Sequence, residues 1–264
     1  MTKEEVKTYL SNHRIGILIP TYNNDQTLEE VATEASSYCA DVLVVDDGST
    51  DQTKDIISRW KGQIHTVSYE QNRGKGNALK EGFLLAKSLG LTHVITIDSD
   101  GQHKLSDLPL FVEAHKSHPD AFIIGSRSFD HPNMPNKNSF ANRFSNFWFT
   151  LQTAHRLPDT QTGYRLYPLA ANHYMTPFNK RYEAELELLV RSAWRLLPIV
   201  SIPIHVYYPP KEERVSHFRP GKDFFRISVL NTVLCVLAIV YGYPSMIIRS
   251  IFRKLKALFK QKTV

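Results

Sequence analysis

Asp98 and Asp100 flank Ser99 in the stretch Ile97-Asp98-Ser99-Asp100-Gly101-Gln102-His103. Two carboxylates one residue apart, in a turn after an apolar run, can reach one cation. Hard oxygen donors suit Mg²⁺ or Mn²⁺, ions that usually share phosphate oxygens. Gln102 adds a neutral oxygen at the next alternate position. A capped turn accounts for Asp, Ser and Gly as well, so the pair alone does not define a metal site. Three other clusters carry comparable chemistry. Pro20-Thr21-Tyr22-Asn23 ends an apolar run. Asp46-Asp47-Gly48-Ser49-Thr50-Asp51 pairs two acids, one of which can accept hydrogen bonds from a base or ribose. Its structural alternative is an Asx-turn followed by a helix cap at Asp51. Asn72-Arg73-Gly74-Lys75-Gly76-Asn77 opens a helix with backbone amides and a lysine, a place that suits phosphate. The bland reading is a glycine entry to the helix. It is neither a Walker loop nor a dinucleotide fingerprint after the first strand. Taken together, Tyr22 and Asp47 for a nucleoside, Lys75 for phosphate and Asp98/Asp100 for a metal compose a nucleoside-diphosphate site.

The elements that must position these clusters alternate. Apolar runs at Ile15–Pro20, Asp41–Asp46, Ile64–Tyr69, His93–Asp98 and Ala121–Gly125 predict strands. Helical stretches are predicted at Thr27–Tyr38, Asp51–Trp60, Gly76–Leu89 and Asp107–Lys116. Such alternation with continuous β-branched runs predicts an α/β fold, its parallel sheet covered by helices on both faces. Ligands in these folds sit beyond the carboxyl ends of the strands, where all four clusters fall. After Ser126 a Pro/Asn-rich loop leads to a helix at Phe140–Thr153. Strands are expected at Gly163–Leu169 and Ile199–Tyr208, around a helix at Arg181–Leu196. Pro209–Lys222 reads as a polar, basic loop.

The chain has 264 residues, 42% hydrophobic and 22% charged, which excludes collagen, coiled coil and wholesale disorder. Its two cysteines, Cys39 and Cys235, cannot build a disulfide framework and fit a reducing compartment. The net charge of +6 is local. Six of the 32 basic residues lie in 249–264, which holds no acid, leaving 26 to balance all 26 acids. A neutral body gives no case for nucleic acid, whereas a basic tail suits an anionic surface. The start is polar, without an apolar signal core, so a cytoplasmic protein is expected unless the C-terminus takes it to a membrane.

That C-terminus is apolar over Ile227–Ile248, 22 residues, enough in principle to span a bilayer. Pro244 should break the run into two helices. Beyond it, Ile248, Ile251/Phe252, Leu255 and Leu258/Phe259 recur at helical spacing, opposite Arg249, Arg253, Lys256 and Lys260. Two in-plane helices, peripheral on the cytoplasmic face of a membrane, are therefore expected rather than a span. The boundary falls near residue 222, with a catalytic unit at 1–222 and the membrane segment at 223–264.

The stretches IPTYNN, VVDDGSTD, NRGKGNAL and IDSDGQH, in this order, resemble those of a family 2 glycosyltransferase over roughly residues 14–226. GSR at 125–127, NRFSN at 142–146 and DTQTGYR at 159–165 are similar to the dolichol-phosphate mannose synthase and polyprenyl-phosphate glycosyltransferase branch. The resemblance implies a GT-A fold, a Rossmann-like and mostly parallel sheet. It implies a UDP- or GDP-sugar donor, Mg²⁺ or Mn²⁺, and a lipid-linked acceptor such as polyprenyl phosphate. By the same resemblance Pro20, Tyr22 and Asp47 hold the base and ribose, and Lys75 sits near the base or diphosphate. Asp98, Asp100 and Gln102 hold the metal, Arg127 and Arg143 the acceptor phosphate, and Asp159, Thr162 and Arg165 shape the transfer site. A closing loop reads Ser216-His217-Phe218-Arg219, with His217 where the branch usually has lysine, so Arg219 or Arg214 supplies the fixed charge. The alternative for the arginines is ordinary ion pairing, Arg127 with Asp130 and Arg165 with Asp159. Glu185 corresponds to a family position near the acceptor, although Glu183, Glu185 and Glu187 read as solvated helix acids.

The implied reaction is a single inverting displacement at the anomeric carbon. A phosphate acceptor is already anionic and needs only cations to place it; a hydroxyl acceptor would need a base, for which Asp159 is the candidate. A sugar-nucleotide pyrophosphorylase is disfavoured, because IPTYNN is not a glycine- and arginine-rich loop. A non-catalytic membrane-docking protein is disfavoured by the intact Asp98/Asp100 pair. An oligomer is compatible with all of these.

Overall fold

The computed structural model of the chain describes residues 1–60, 62–127, 136–170, 175–208 and 220–261. Helix α1 (Lys3–Asn12) precedes β1 (Ile15–Thr21), α2 (Leu28–Tyr38), β2 (Val42–Asp46), α3 (Thr53–Arg59) and β3 (His65–Ser68). Then come α4 (Lys75–Ser88), β4 (His93–Thr96), α5 (Leu108–Ser117), β5 (Phe122–Arg127), α6 (Asn136–Thr153) and β6 (Arg165–Pro168). The chain continues through α7 (Glu183–Trp194), β7 (Ile199–Ile204), α8 (Pro220–Leu237) and α9 (Tyr243–Gln261).

The strands form one sheet in the order β3-β2-β1-β4-β6-β5-β7. The β1 run is buried at every position because the sheet has a core on each side. Ile15, Ile17, Ile19, Val42 and Val44 pack on one face with α1, α2 and α5. Leu18, Leu43 and Val45 pack on the other with Ala78, Leu79 and Phe83 of α4 and Leu188–Val190 of α7. Two-sided burial removes the period-two alternation and leaves continuous apolar runs. Pro20 fits inside β1 because the pairing with β4 ends at Leu18–Thr96.

The sheet is mixed rather than wholly parallel. β6 runs antiparallel to both β4 and β5, while the other pairs are parallel. A reversed strand brings the residues before it, not after it, to the carboxyl edge. Residues 159–164 therefore share that edge with the loops following β1, β2, β4 and β5.

The expected break at Pro244 is replaced by a π-turn. Residues Ala238–Gly242 widen the helix between α8 and α9, and the Tyr243 N–H reaches back to the Ala238 carbonyl. The π-turn sits directly ahead of the position where proline lacks an N–H, so the helix continues past it. Phe225–Leu258 is one helix long and apolar enough to cross a membrane by length and composition, and little of it is buried. It is fastened to the body at a polar point: the buried Asn231 side chain accepts a 2.9 Å hydrogen bond from Gln152, and Trp194 donates to the Gln152 carbonyl.

Helix α4 lies tight against the chain leading into α7. A Cβ on Gly76 would stand 2.3 Å from the Asn179 carbonyl oxygen and 2.6 Å from the Ala184 methyl. Neither neighbour is a flexible tip. Gly76→Ala should thus lower stability by about 1–3 kcal/mol, measured by chemical denaturation, whereas an unchanged midpoint would contradict this packing.

Candidate active site at the carboxyl edge

Four loops are laced together before any ligand is considered. Asn23, at φ 47°, donates its N–H to Ser49 Oγ and accepts from the Thr50 N–H at 2.7 Å. Buried Asn24 donates its side-chain amide to Ser99 Oγ at 2.9 Å, and Thr27 Oγ1 donates to the Ser99 carbonyl at 2.6 Å. The residue between the two aspartates is thereby fixed from the first loop. Asp47 accepts the backbone N–H of Arg73 at 2.8 Å and of Gly74 at 2.7 Å. Both its oxygens shape the loop that carries Lys75, and burial pushes its carboxyl above the usual range while the two amides pull it back. Asp46 Oδ1 accepts the Ser49 N–H three residues on, and the Asx-turn is made by Asp51, whose Oδ1 accepts the Thr53 N–H. Gly74, at φ 96°, has a conformation and a clearance that only glycine satisfies, since a Cβ would stand 2.4 Å from the Lys180 carbonyl.

At the centre, Lys75 Nζ donates to Asp98 Oδ1 at 2.7 Å and lies 3.1 Å from Glu185 Oε2. Burial opposes the ammonium charge, yet Asp98 and Glu185 outweigh it and hold the lysine above its ordinary value. Burial likewise opposes the Asp98 charge, but Lys75 and His103 hold its carboxyl well below the usual range. His103 Nε2 lies 3.7 Å from Asp98 Oδ2. Asp100 goes the other way: burial first, then the charge on Asp98, push its carboxyl up. Its Oδ1 accepts the Gln102 N–H at 3.0 Å. The two neighbouring carboxyls thus differ: the charges of Lys75 and His103 act mainly on Asp98, while Asp100 carries the cost of burial and of Asp98's charge. Among the described residues no three or more His, Cys, Asp or Glu cluster to hold a metal by themselves.

Of the ion pairs expected as the alternative role for the arginines, Arg165–Asp159 does not form. Arg127, the last residue of β5, pairs with Asp159, through Nε to Oδ2 at 2.6 Å and Nη2 to Oδ1 at 3.0 Å. Asp159 also accepts the Gln161 N–H. Burial opposes its charge, but Arg127 outweighs it and holds the carboxyl below the usual range. Asp130 lies outside the described residues. Arg165 is fully buried and donates to the carbonyls of Thr162, Glu185 and Thr160 at 2.6, 2.8 and 2.9 Å. It clamps the 159–165 loop to α7 and offers no face to a substrate. Thr162 is buried beneath it. Asn142, Ser145 and Asn146 of α6 bind Pro158 and Thr160, which leaves the exposed Arg143 on the outer side of the same segment. Pro20 is buried and Tyr22 half-buried at the end of β1. His217, Arg219, Arg214, Ser216 and Phe218 lie outside the described residues.

The α7 acids are a correction. Glu183, Glu185 and Glu187 are 8%, 7% and 3% exposed, not solvated. Glu187 accepts the amides of Phe178 and Asn179 and pairs with Arg191. Gly163 carries a constraint that periodicity did not reveal: a Cβ there would stand 2.5 Å from Asp98 Oδ2.

Asp100 has a consequence for stability. A carboxyl whose folded pKa lies above its unfolded value leaves the fold most stable below the unfolded value, and stability is lost as pH rises through the folded one. Asp100→Asn should therefore match or exceed the parent in thermal stability at pH 7, with the difference closing towards pH 4. A large loss of stability at pH 7 would contradict it.

The glycosyl transferase family 2 model matches residues 16–172, more than half of the chain. A UDP-N-acetylglucosamine–dolichyl-phosphate N-acetylglucosaminyltransferase of Methanococcus voltae is 26% identical over 245 residues, 84% of this chain and 98% of that one. A dolichyl-phosphate beta-glucosyltransferase of Trichomonas vaginalis is 26% identical over 71% of this chain and 62% of its own length. Among solved structures, glucosyl-3-phosphoglycerate synthase of Mycobacterium tuberculosis, in complex with Mn²⁺, UDP-glucose and phosphoglyceric acid, superposes with a TM-score of 0.63 at 19% identity, over 89% of this chain and 84% of that one. At that identity it shows the fold, the GT-A sheet. Four interlaced loops at one edge of that sheet and a matching family model lead to one assignment: the chain is a glycosyltransferase of family 2.

Proposed function

We propose that this enzyme moves a sugar from a UDP- or GDP-sugar to the phosphate of a membrane-borne polyprenyl phosphate, with inversion at the anomeric carbon. The observation that carries the choice of acceptor is the Arg127–Asp159 pair. Asp159, the candidate base, has both oxygens on Arg127 and a low pKa. A hydroxyl acceptor would need that base. A phosphate acceptor attacks as an anion and needs only positioning. The dolichyl-phosphate relatives agree with this reading.

The residues divide the work by charge. Arg127 and the exposed Arg143 flank the 158–160 loop and place the acceptor phosphate. Its oxygen forms the new bond to the anomeric carbon as the bond to the donor diphosphate breaks, and the diphosphate leaves with the electron pair. A divalent cation, Mg²⁺ or Mn²⁺, held by Asp98 and Asp100 with Gln102 beside them, would supply charge neutralisation for that leaving group. Lys75 contributes a fixed positive charge from the start of α4. Tyr22 stands at the end of β1 for the nucleoside, and the Asp47 carboxylate holds the loop that presents Lys75.

The C-terminal helix brings this edge to lipid. Phe225, Val236, Ile239, Val240, Ile247 and Phe252 are all exposed, more contiguous apolar surface than water favours. A cavity of about 710 Å³ between α7 and α8 is lined by Trp194, Val229, Val233 and Leu237 together with the charged Glu187, Arg191 and Arg226, and none of Lys75, Asp98 or Asp100 lines it. Its apolar α8 wall suits a hydrocarbon chain. The basic residues of α9 meet an anionic leaflet, on the cytoplasmic face where the nucleotide donor is available.

The test is a panel of radiolabelled UDP- and GDP-sugars with polyprenyl phosphate or polyprenol in mixed micelles. Label should enter the lipid fraction only with the phosphate and should vanish on chelation. Arg143→Ala should raise the KM for polyprenyl phosphate about tenfold with folding unchanged. Equal labelling of polyprenol would overturn the acceptor assignment.

A further inference from the structure

Lys75 stands where a metal ion needs a carboxylate. Its ammonium is 2.7 Å from Asp98 Oδ1, with the lysine side chain 17% exposed. The other Asp98 oxygen faces His103 Nε2 at 3.7 Å and the Cα of Gly163, where even a methyl group would come within 2.5 Å. Asp98 keeps 29% of its side chain exposed, but the ammonium occupies one oxygen and His103 and Gly163 crowd the other. A divalent ion that approaches Asp98 competes with the ammonium already on Oδ1, unless it arrives with something else for the ammonium to bind. A nucleoside diphosphate is such a group, anionic and rich in acceptor oxygens. The second carboxylate on Lys75 makes the exchange feasible. Glu185 Oε2 lies 3.1 Å from Nζ, and its Oε1 is buried with no hydrogen-bond partner among the described residues. The ammonium can leave Asp98 without being stranded, because Glu185 still neutralises it.

We propose that Lys75 is a built-in counter-cation that closes Asp98 to metal until a nucleoside diphosphate draws the ammonium away. The inference rests on the assignment of Asp98 and Asp100 as metal holders. Metal and nucleotide then bind as a coupled pair. By reciprocity, the factor by which nucleotide tightens metal binding equals the factor by which metal tightens nucleotide binding. The enzyme without nucleotide is spared an idle metal site, and the charge at Asp98 stays balanced in both states.

The experiment measures Mn²⁺ binding to the full chain by titration calorimetry or by the electron paramagnetic resonance of free Mn²⁺, with no nucleotide, with UDP and with GDP. Lys75→Met and Lys75→Gln are compared with the parent, and thermal melts establish that each is folded. Without nucleotide, both variants should bind Mn²⁺ at least about tenfold more tightly than the parent, because a neighbouring positive charge has gone. The gain that nucleotide gives, large in the parent, should shrink in the variants. Should neither variant fold, the parent decides alone: equal Mn²⁺ affinity with and without nucleotide overturns the proposal. Folded variants with the parent's Mn²⁺ affinity overturn the latch and leave the metal site standing. No Mn²⁺ binding by the parent under any of the three conditions overturns both.

Discussion

One ammonium shared by two carboxylates organises the site. Lys75 sits on Asp98 and Glu185, groups that come from the start of α4, the end of β4 and the first turn of α7. All three are largely withdrawn from water, so the desolvation cost of each charge is offset only by its partners. Removing any one would leave a buried charge unmatched. This accounts for the tight packing around them. Gly74 and Gly76 let the α4 entry approach residues 179–184, Gly163 leaves room for the Asp98 carboxylate, and Arg165 pins the backbone beside Glu185 through its carbonyl.

The same balance explains why Asp98 and Asp100 are unlike, though one residue apart. Asp98 is charged because lysine and histidine face it; Asp100 is destabilised by burial and by Asp98. A site in which one carboxylate faces a cation and its neighbour accepts only a backbone N–H has room for further positive charge. The reversed strand β6 completes the arrangement. Its direction delivers Asp159 to the sheet edge, where it takes Arg127 from the end of β5. The Lys75–Asp98 pair and the Arg127–Asp159 pair thereby share one edge of the sheet.

The sheet and its edge were legible because two-sided burial writes itself as uninterrupted apolar runs, and because strand ends in such sheets carry the polar clusters. Lys75, Asp98 and Asp100 could be assembled from cluster order alone. The direction of β6 could not, since a four-residue buried strand reads the same both ways. Nor could the partners of the arginines: Arg127 pairs across 32 residues with Asp159, and Arg165 binds carbonyls that no sequence pattern marks. The α7 acids misled for a related reason. Alternate acids on a helix look solvated unless the lysine, amides and arginine that receive them are known. Pro244 misled because a π-turn can absorb a missing N–H without ending the helix.

The most direct measurement is anomalous scattering from crystals soaked with Mn²⁺ and UDP or GDP. The account predicts a Mn²⁺ peak about 2.0–2.6 Å from carboxylate oxygens of Asp98 or Asp100, with Lys75 Nζ withdrawn from Asp98 towards the diphosphate and Glu185. A bound nucleotide with Lys75 still seated on Asp98, and no metal beside either aspartate, would contradict it.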